Sequence, residues 1–503
     1  MTSSDAYAEL VRRSREVSLI QSCSAVLGWD QQTYMPRAGA ALRGDQLALL
    51  AGWAHQKATD PVLGELLAAV EGSASDPDSI EAANVRELRH AFDRSVKIPA
   101  RLVEELARIT TLAQDAWQQA RAKNHFATFR PLLERVLALK REEAAAVGYV
   151  DHPYDALLDE YEPGATTAGI RVLFSGLEKE LVPLIRAEAE KKKPRTDILH
   201  RDFPIDRRKW FAESAAAAIG FDFQSGRIDT TAHPFCSAFG PGDCRLTTRY
   251  NPKFFNEAFF GVLHEAGHGM YEQGLLPEHH GTPAGTYCSL GIHESQSRFW
   301  ENQIGRSKPF WDHFFPRLKQ AFPGALDEAR TEDFLSAINA VEPSFIRVEA
   351  DEATYNLHIL LRFELELALL SGDLAVADLP GAWNEKFEKL FGLVPKTDSE
   401  GCLQDIHWSF GGFGYFPTYT LGNLYAAQFG EALKRDYGES EIARSVRVGD
   451  FRPVLGWLRD RVHRHGRRYR AERLCERATG AALSPEPFLR YLKEKLSQSE
   501  PVC

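Results

Sequence analysis

Apolar residues recur at helical spacing along most of the chain. In the segment 4–28, Ala8, Leu10, Val11, Val17, Ile20 and Leu27 fall near a 3.6-residue period. Pro36 and Gly39 break the pattern, and helical text resumes over 40–58. Residues 80–147, rich in Glu, Leu, Ala and Arg, predict an antiparallel helical pair, interrupted near Val96–Ala100 where Pro99 begins the second member. A further helix is predicted over Glu178–Lys193. Its Lys191-Lys192-Lys193 end is a solvated basic terminus that suits the helix dipole.

The segment 223–250 departs from this period. Gly226–Thr231 and Cys244–Tyr250 show the Thr-rich alternation of strands, and Pro234, Gly240, Pro241 and Gly242 punctuate the stretch between them. A small antiparallel sheet is the expectation, followed by helices to the C-terminus. No repeat or low-complexity linker divides the chain. The fold class is mainly α.

Composition narrows the function classes. The 503 residues carry 44% apolar side chains, enough for a large core, and a net charge of −10. That balance argues against a nucleic-acid binder. The stretch Met1–Glu9 lacks a basic start followed by an apolar run, and no stretch approaches the ~18 apolar residues of a membrane span. Seven scattered cysteines form no CxxC pair and point to a reducing cytoplasm.

The strongest chemical signal is His264-Glu265-Ala266-Gly267-His268. Asn251-Pro252 offers a capping side chain and a first-turn proline, so a helix is predicted from there to about Gly274. Two histidines four apart project from one helix face and reach one tetrahedral ion, with Glu265 beside them as a base. The five-residue pattern alone also recurs by chance. Gly267 costs the helix roughly 1 kcal/mol against alanine, which makes sense if another segment packs closely there. A second helix beginning near Ser289 carries Glu294, 26 residues after His268, as third ligand. The bland alternative for Glu294 is an exposed carboxylate paired with Arg298 one turn on. His293 and Glu301 then orient the ligands. His293 and Glu294, about 100° apart on a helix, do not serve one ion together.

These segments resemble the carboxypeptidase Taq family of metallocarboxypeptidases. The likeness lies in His233-Pro-Phe235, Asp243-Cys-Arg245-Leu-Thr247, the His264–His268 motif, His293-Glu294-Ser-Gln296, Ile346-Arg347-Val-Glu-Ala-Asp351 and Gly401-Cys-Leu-Gln404-Asp405-Ile-His407-Trp408. Gly28–Ala40 is similar to the family's N-terminal region. The resemblance implies one catalytic domain over 1–503, an elongated helical body with a deep central cleft. Residues about 1–80 would cover that cleft. It also implies one zinc per subunit, with cobalt as an alternative, a homodimer, and release of single residues from peptide C-termini with broad preference.

Glu265 is the expected general base. His407, inside a matched motif, is the first candidate donor to the oxyanion, and Tyr415 and Tyr419 are the next; either tyrosine could equally be a core aromatic. Arg347 and Arg245 are candidates for the substrate carboxylate. For Arg347 the alternative is an internal ion pair with Glu349 or Asp351. The strand at Cys244–Tyr250 is expected to run beside substrate, with His233, Asp243 and Thr247 shaping that end of the cleft. Asp351, Gln404 and Asp405 complete the expected substrate-binding set. An oligopeptidase cutting internal bonds, and a non-enzymatic scaffold with a remnant metal site, are the competing readings.

Overall fold

The first helix begins where the sequence supplies a cap. Thr2 Oγ1 accepts from Asp5 N, and the Asp5 carboxylate accepts from Thr2 N in return. In the computed structural model, which describes residues 2–498 except 192, 232 and 233, this helix is α1 (Ser3–Thr33). His233 and Lys192, named above, lie outside the described residues. Helix α1 runs through Trp29, and the chain turns at Pro36 into α2 (Ala40–Ala58). Asp60 caps α3 (Pro61–Val70).

The predicted pair over 80–147 is three helices: α4 (Ile80–Lys97), α5 (Ala100–Lys123) and α6 (Phe126–Val147). The extra break falls at Asn124, whose φ of 51° ends α5 in the left-handed region that asparagine tolerates. After α7 (Pro153–Leu158), helix α8 (Thr167–Ala189) starts well before Glu178. Thr166 caps it, and Pro183 is accommodated within it. Helix α9 is Ile205–Ile219.

The sheet has three strands, β1 (Gly226–Thr230), β2 (Cys236–Gly240) and β3 (Asp243–Thr248), in the order β1-β3-β2. It is mixed, not antiparallel as predicted. β2 and β3 form a hairpin through Gly240 and Gly242, both at positive φ, and this hairpin occupies one edge of β3. β1 takes the other edge and pairs in parallel, Gly226 opposite Cys244.

Helix α10 (Phe255–Glu272) carries the histidine motif and starts later than predicted. Asn251 Oδ1 accepts from Lys253 N and Asn251 O from Phe254 N, so Asn251-Pro252 closes a turn before the helix instead of capping it. Helix α11 (Leu290–Arg298) begins at Ser289 as predicted, and continues into a π-helical turn over Phe299–Ile304. Then follow α12 (Lys308–Ala321), α13 (Thr331–Ile338), α14 (Glu352–Ser371), α15 (Leu379–Phe391), α16 (Pro417–Tyr437) and four shorter helices to Gln498.

One apolar core runs from Ala113 to Leu496, and a small separate one joins Ala6 and Leu10 to Leu63, Leu66, Leu67, Val70 and Val85. The N-terminal hairpin is anchored mainly by polar contacts. Tyr34 donates to Asp229 (2.6 Å), Ser14 to Gly281 O (2.7 Å), and Trp29 lies under the Arg245 guanidinium (4.4 Å). Among the described residues, no helix is long and apolar enough to cross a membrane.

Candidate metal centre and active site

Helical spacing brings His264 and His268 to one side of α10, and α11 lays Glu294 against them. Glu294 Oε2 stands 3.8 Å from His264 Nε2 and 3.4 Å from His268 Nε2, and the three ligand atoms lie within 4.8 Å of one another. Ligand atoms about 2.0–2.2 Å from one tetrahedral ion are about 3.3–3.6 Å apart, so the donor set fits a zinc-sized cation. His264 Nδ1 meets Glu301 Oε2 at 2.8 Å. That acceptor keeps the proton on Nδ1 and leaves the Nε2 lone pair for a metal. His268 is supported differently. Its ring stacks on His293 at 4.3 Å and 15°, and His293 Nε2 is tied to Glu272 (3.0 Å). His293 thus stands beside the site, as the helix geometry predicts.

The close approach of the helices depends on two glycines. A Cβ on Gly267 would fall 2.5 Å from Gln296 O and 2.6 Å from Ser297 Cα, so α10 and α11 touch backbone to backbone there. A Cβ on Gly422 of α16 would fall 2.5 Å from Glu294 Cγ. At the other end of α11, Glu162 accepts from Ser289 Oγ and Gly291 N, both at 2.9 Å, while Tyr161 O takes Leu290 N. Glu162 sits in a loop 132 residues before Glu294, and nothing in the local sequence announces it.

The electrostatics follow from burial and these contacts. Burial works to raise the Glu294 carboxyl, but Arg298 (Nε to Oε1, 2.7 Å) and the imidazoles outweigh it and hold it well below the carboxylate range. Burial lowers His268 to about 3, which keeps that imidazole neutral, as a ligand must be. Burial pushes Glu265 up to about 7; protonation of His264 would oppose the shift, and the Glu294 carboxylate adds to it.

Next to the metal centre lies a second polar cluster, built on α14. Asp405 Oδ1 accepts from Arg347 Nε (3.0 Å) and Nη2 (2.7 Å), and Oδ2 accepts from Arg362 Nε (2.7 Å). Arg347 Nη1 donates to Tyr355 Oη at 2.6 Å. The ion-pair partner of Arg347 is therefore Asp405, not Glu349 or Asp351. Gln404 Oε1 accepts from Arg347 N and Arg362 Nη2, and its amide donates to three backbone carbonyls. His407 Nε2 meets Tyr419 Oη at 3.1 Å, and the Tyr415 and Tyr419 rings lie 5.4 Å apart. Both tyrosines are half-buried, and Glu294 adds to the rise that burial produces in their pKa values.

The remaining expected residues stand elsewhere. Asp351 caps α14 by accepting from Ala353 N and Thr354 N. Thr247, fully buried, both accepts from Phe235 N and donates to Phe235 O. Arg245 is held two-pronged by Asp243 between Trp29 and Phe239. Tyr355 and Arg362 lie outside the motifs, although Asp351, Tyr355, His358, Arg362 and Glu366 recur at helical spacing along α14.

The carboxypeptidase Taq (M32) metallopeptidase family matches residues 9–496. The chain belongs to this family. It is 49% identical to thermostable carboxypeptidase 1 of Thermus thermophilus, over 98% of this chain and 99% of that one. It is 37% identical to carboxypeptidase 1 of Bacillus subtilis, over 98% and 97%. Among solved structures, the M32 carboxypeptidase from Deinococcus radiodurans superposes with a TM-score of 0.95 at 39% identity, covering 98% of this chain and 99% of that one. This M32 protein is accordingly a metallocarboxypeptidase. Metallopeptidases act through a divalent metal, and the His264, His268 and Glu294 cluster is the one candidate group for it among the described residues.

Proposed function

We propose that this metallocarboxypeptidase releases single amino acids from peptide C-termini, with Glu265 as general base and Arg347 holding the terminal carboxylate. One observation carries the reading. Arg298, bound to Glu294, lies over the face of Tyr355 at 4.4 Å, and the hydroxyl of that tyrosine is bound to Arg347. Metal ligand and guanidinium are thus linked across one ring.

His264, His268 and Glu294 would hold the ion. The donor set suits zinc, with cobalt as the alternative. Bound there, such an ion would supply Lewis acidity to the scissile carbonyl and to the attacking water. Glu265 takes the proton of the attacking water and passes it to the leaving amine. Burial keeps the phenolic protons on Tyr415 and Tyr419, which would donate to the oxygen on which charge develops. Burial holds His407 neutral, lowered to about 3, and its bond to Tyr419 orients that phenol. Arg347 has three N–H groups committed to Asp405 and Tyr355; the two that remain, one on each Nη, form an edge suited to a carboxylate.

In the same proposal, residues about 1–80 cover the cleft, which the contacts of α1 with the sheet support. Asp243, Arg245 and Thr247 shape one end of it. Broad residue preference, a homodimer and a cytoplasmic setting rest on the family resemblance and the scattered cysteines.

The test is mass spectrometry of peptide pairs that differ only in a free or amidated C-terminus, digested by zinc- and cobalt-loaded protein. A ladder of one-residue losses from the free acids alone is expected. Equal cutting of the amides would replace this reading with internal cleavage.

A further inference from the structure

Two guanidinium groups share one carboxylate beside the metal centre. Arg362 is fully buried, and each of its nitrogens is engaged: Nε with Asp405 (2.7 Å), Nη1 with His358 O (2.6 Å), Nη2 with Gln404 Oε1 (2.7 Å). Its planar group also lies 4.7 Å from the Trp383 ring. Nη2 also meets Asp405 Oδ2 at 2.6 Å, and with no exposed surface Arg362 offers a substrate no free edge. Arg347, on the other oxygen of Asp405, retains one.

The charge count is what matters. A single buried arginine paired with Asp405 would be neutral, and its attraction for an incoming anion would be largely spent on that partner. With two arginines on one carboxylate, the cluster carries one net positive charge in a weakly screened setting. A further carboxylate, Glu366, faces Arg362, and burial pushes it up to about 7, toward its neutral form. Burial keeps His358 and His407 in their neutral forms. Glu366, one turn along α14, bonds to Tyr154, Trp408 and Gly414 N.

We infer that Arg362 is a positioning residue that neutralises Asp405 and so leaves the Arg347 guanidinium with an uncompensated charge for the substrate's terminal carboxylate. This rests on the proposal that Arg347 binds that carboxylate. The role is specific: Asp405 aims the Arg347 fork, and Arg362 prevents Asp405 from also quenching it.

The experiment measures kcat and KM separately on an N-blocked dipeptide with a free C-terminus, using metal-loaded variants of matched metal content. Arg362→Gln is expected to raise KM by about 30–100-fold, the scale on which a charge-assisted hydrogen bond is lost, with kcat changed by less than about threefold. Arg362→Lys, which keeps the charge without the fork, retains most of the affinity. Arg362→Gln combined with Asp405→Asn returns the cluster to one net positive charge, and recovers at least about tenfold of the lost affinity. The lysine and double variants also serve if Arg362→Gln alone fails to fold. A KM unchanged by Arg362→Gln, an equal loss in Arg362→Lys, or no recovery in the double variant overturns the inference. Arg347→Ala separates the two layers. If it raises KM while Arg362→Gln does not, only the role of Arg362 falls; if it leaves KM unchanged, the carboxylate reading falls with it.

Discussion

Around the metal centre, the imidazole nitrogens and the carboxylate oxygen face one another with no donor between them. Across Tyr355, every side-chain nitrogen of Arg347, Arg362 and Gln404 already meets an acceptor. Both regions are buried, and both contain motif residues, although Tyr355 and Arg362 of the second lie outside the motifs. The first holds lone pairs in reserve for a cation; the second is a closed network with one edge left open. A residue type inside a motif therefore does not by itself say whether a side chain meets the substrate. The test is whether its hydrogen-bonding capacity is already used within the protein.

The largest expected effect tests the open half. Glu265→Gln keeps the shape of the site and removes the base. It should lower kcat by about 10²–10⁴-fold, the usual worth of general base catalysis, with metal content by atomic absorption unchanged. Full retained activity would mean that proton transfer runs through another group, and the contrast between a reactive half and a closed half would lose its meaning.

The closed half should answer in stability instead. Asp405→Ala strips the acceptor from two buried guanidinium groups. Breaking a buried ion pair on one side costs about 3–5 kcal/mol. Thermal unfolding of the metal-loaded protein should show a clear drop in midpoint. Asp405 is held well below the carboxylate range because both arginines outweigh its burial, so its contribution is present at neutral pH and is lost only as acid protonates it in the folded state. A melting point unmoved by Asp405→Ala would show that the network is looser than its distances indicate.

What could be read from the sequence was what helix geometry fixes locally. His264 and His268 sit one turn apart on any helix, and Ser289 is a cap wherever a helix follows it. Gly267 was legible as a close-approach position for the same reason. Pairing between distant segments was not legible. Short β2 is masked by the Pro and Gly around it, and the parallel register of β1 with β3 depends on which edge the hairpin leaves free. Asn251-Pro252 carries the signature of a helix start but closes a turn, because Pro252 O is taken by Phe203 N from another part of the chain. Arg362 and Glu162 act through partners 43 and 127 residues away, Asp405 and Ser289. Only the helical spacing of polar residues along α14 hints at the first.

A smaller effect probes how tightly the open half is held. Gly267→Ala forces a methyl group into the backbone of Gln296 and Ser297, at 2.5 and 2.6 Å. Neither atom can swing aside, so α10 and α11 must separate. Overpacking of this kind costs about 1–3 kcal/mol in unfolding free energy. Because Glu294 rides on α11, metal affinity should fall with it. A destabilised protein with undiminished zinc affinity would show that the helix contact and the ligand geometry are independent.

The finest test lies within the metal centre, where the two histidines are supported unequally. His264 is fixed by a carboxylate on its Nδ1, whereas His268 Nδ1 is buried without an acceptor among the described residues and is steadied by stacking on His293. Glu301→Gln keeps the size of the partner, and its amide oxygen still accepts from Nδ1, but the charge that strengthens His264 as a ligand is gone. Loss of such a partner weakens metal binding by about 10–100-fold, and the retained amide acceptor argues for the lower end. His293→Phe preserves a ring against His268 and should change affinity less. Zinc competition against a fluorescent chelator measures both. If the two variants weaken binding alike, the carboxylate is not what distinguishes the ligands, and the ring stack carries as much of the orientation as the hydrogen bond does.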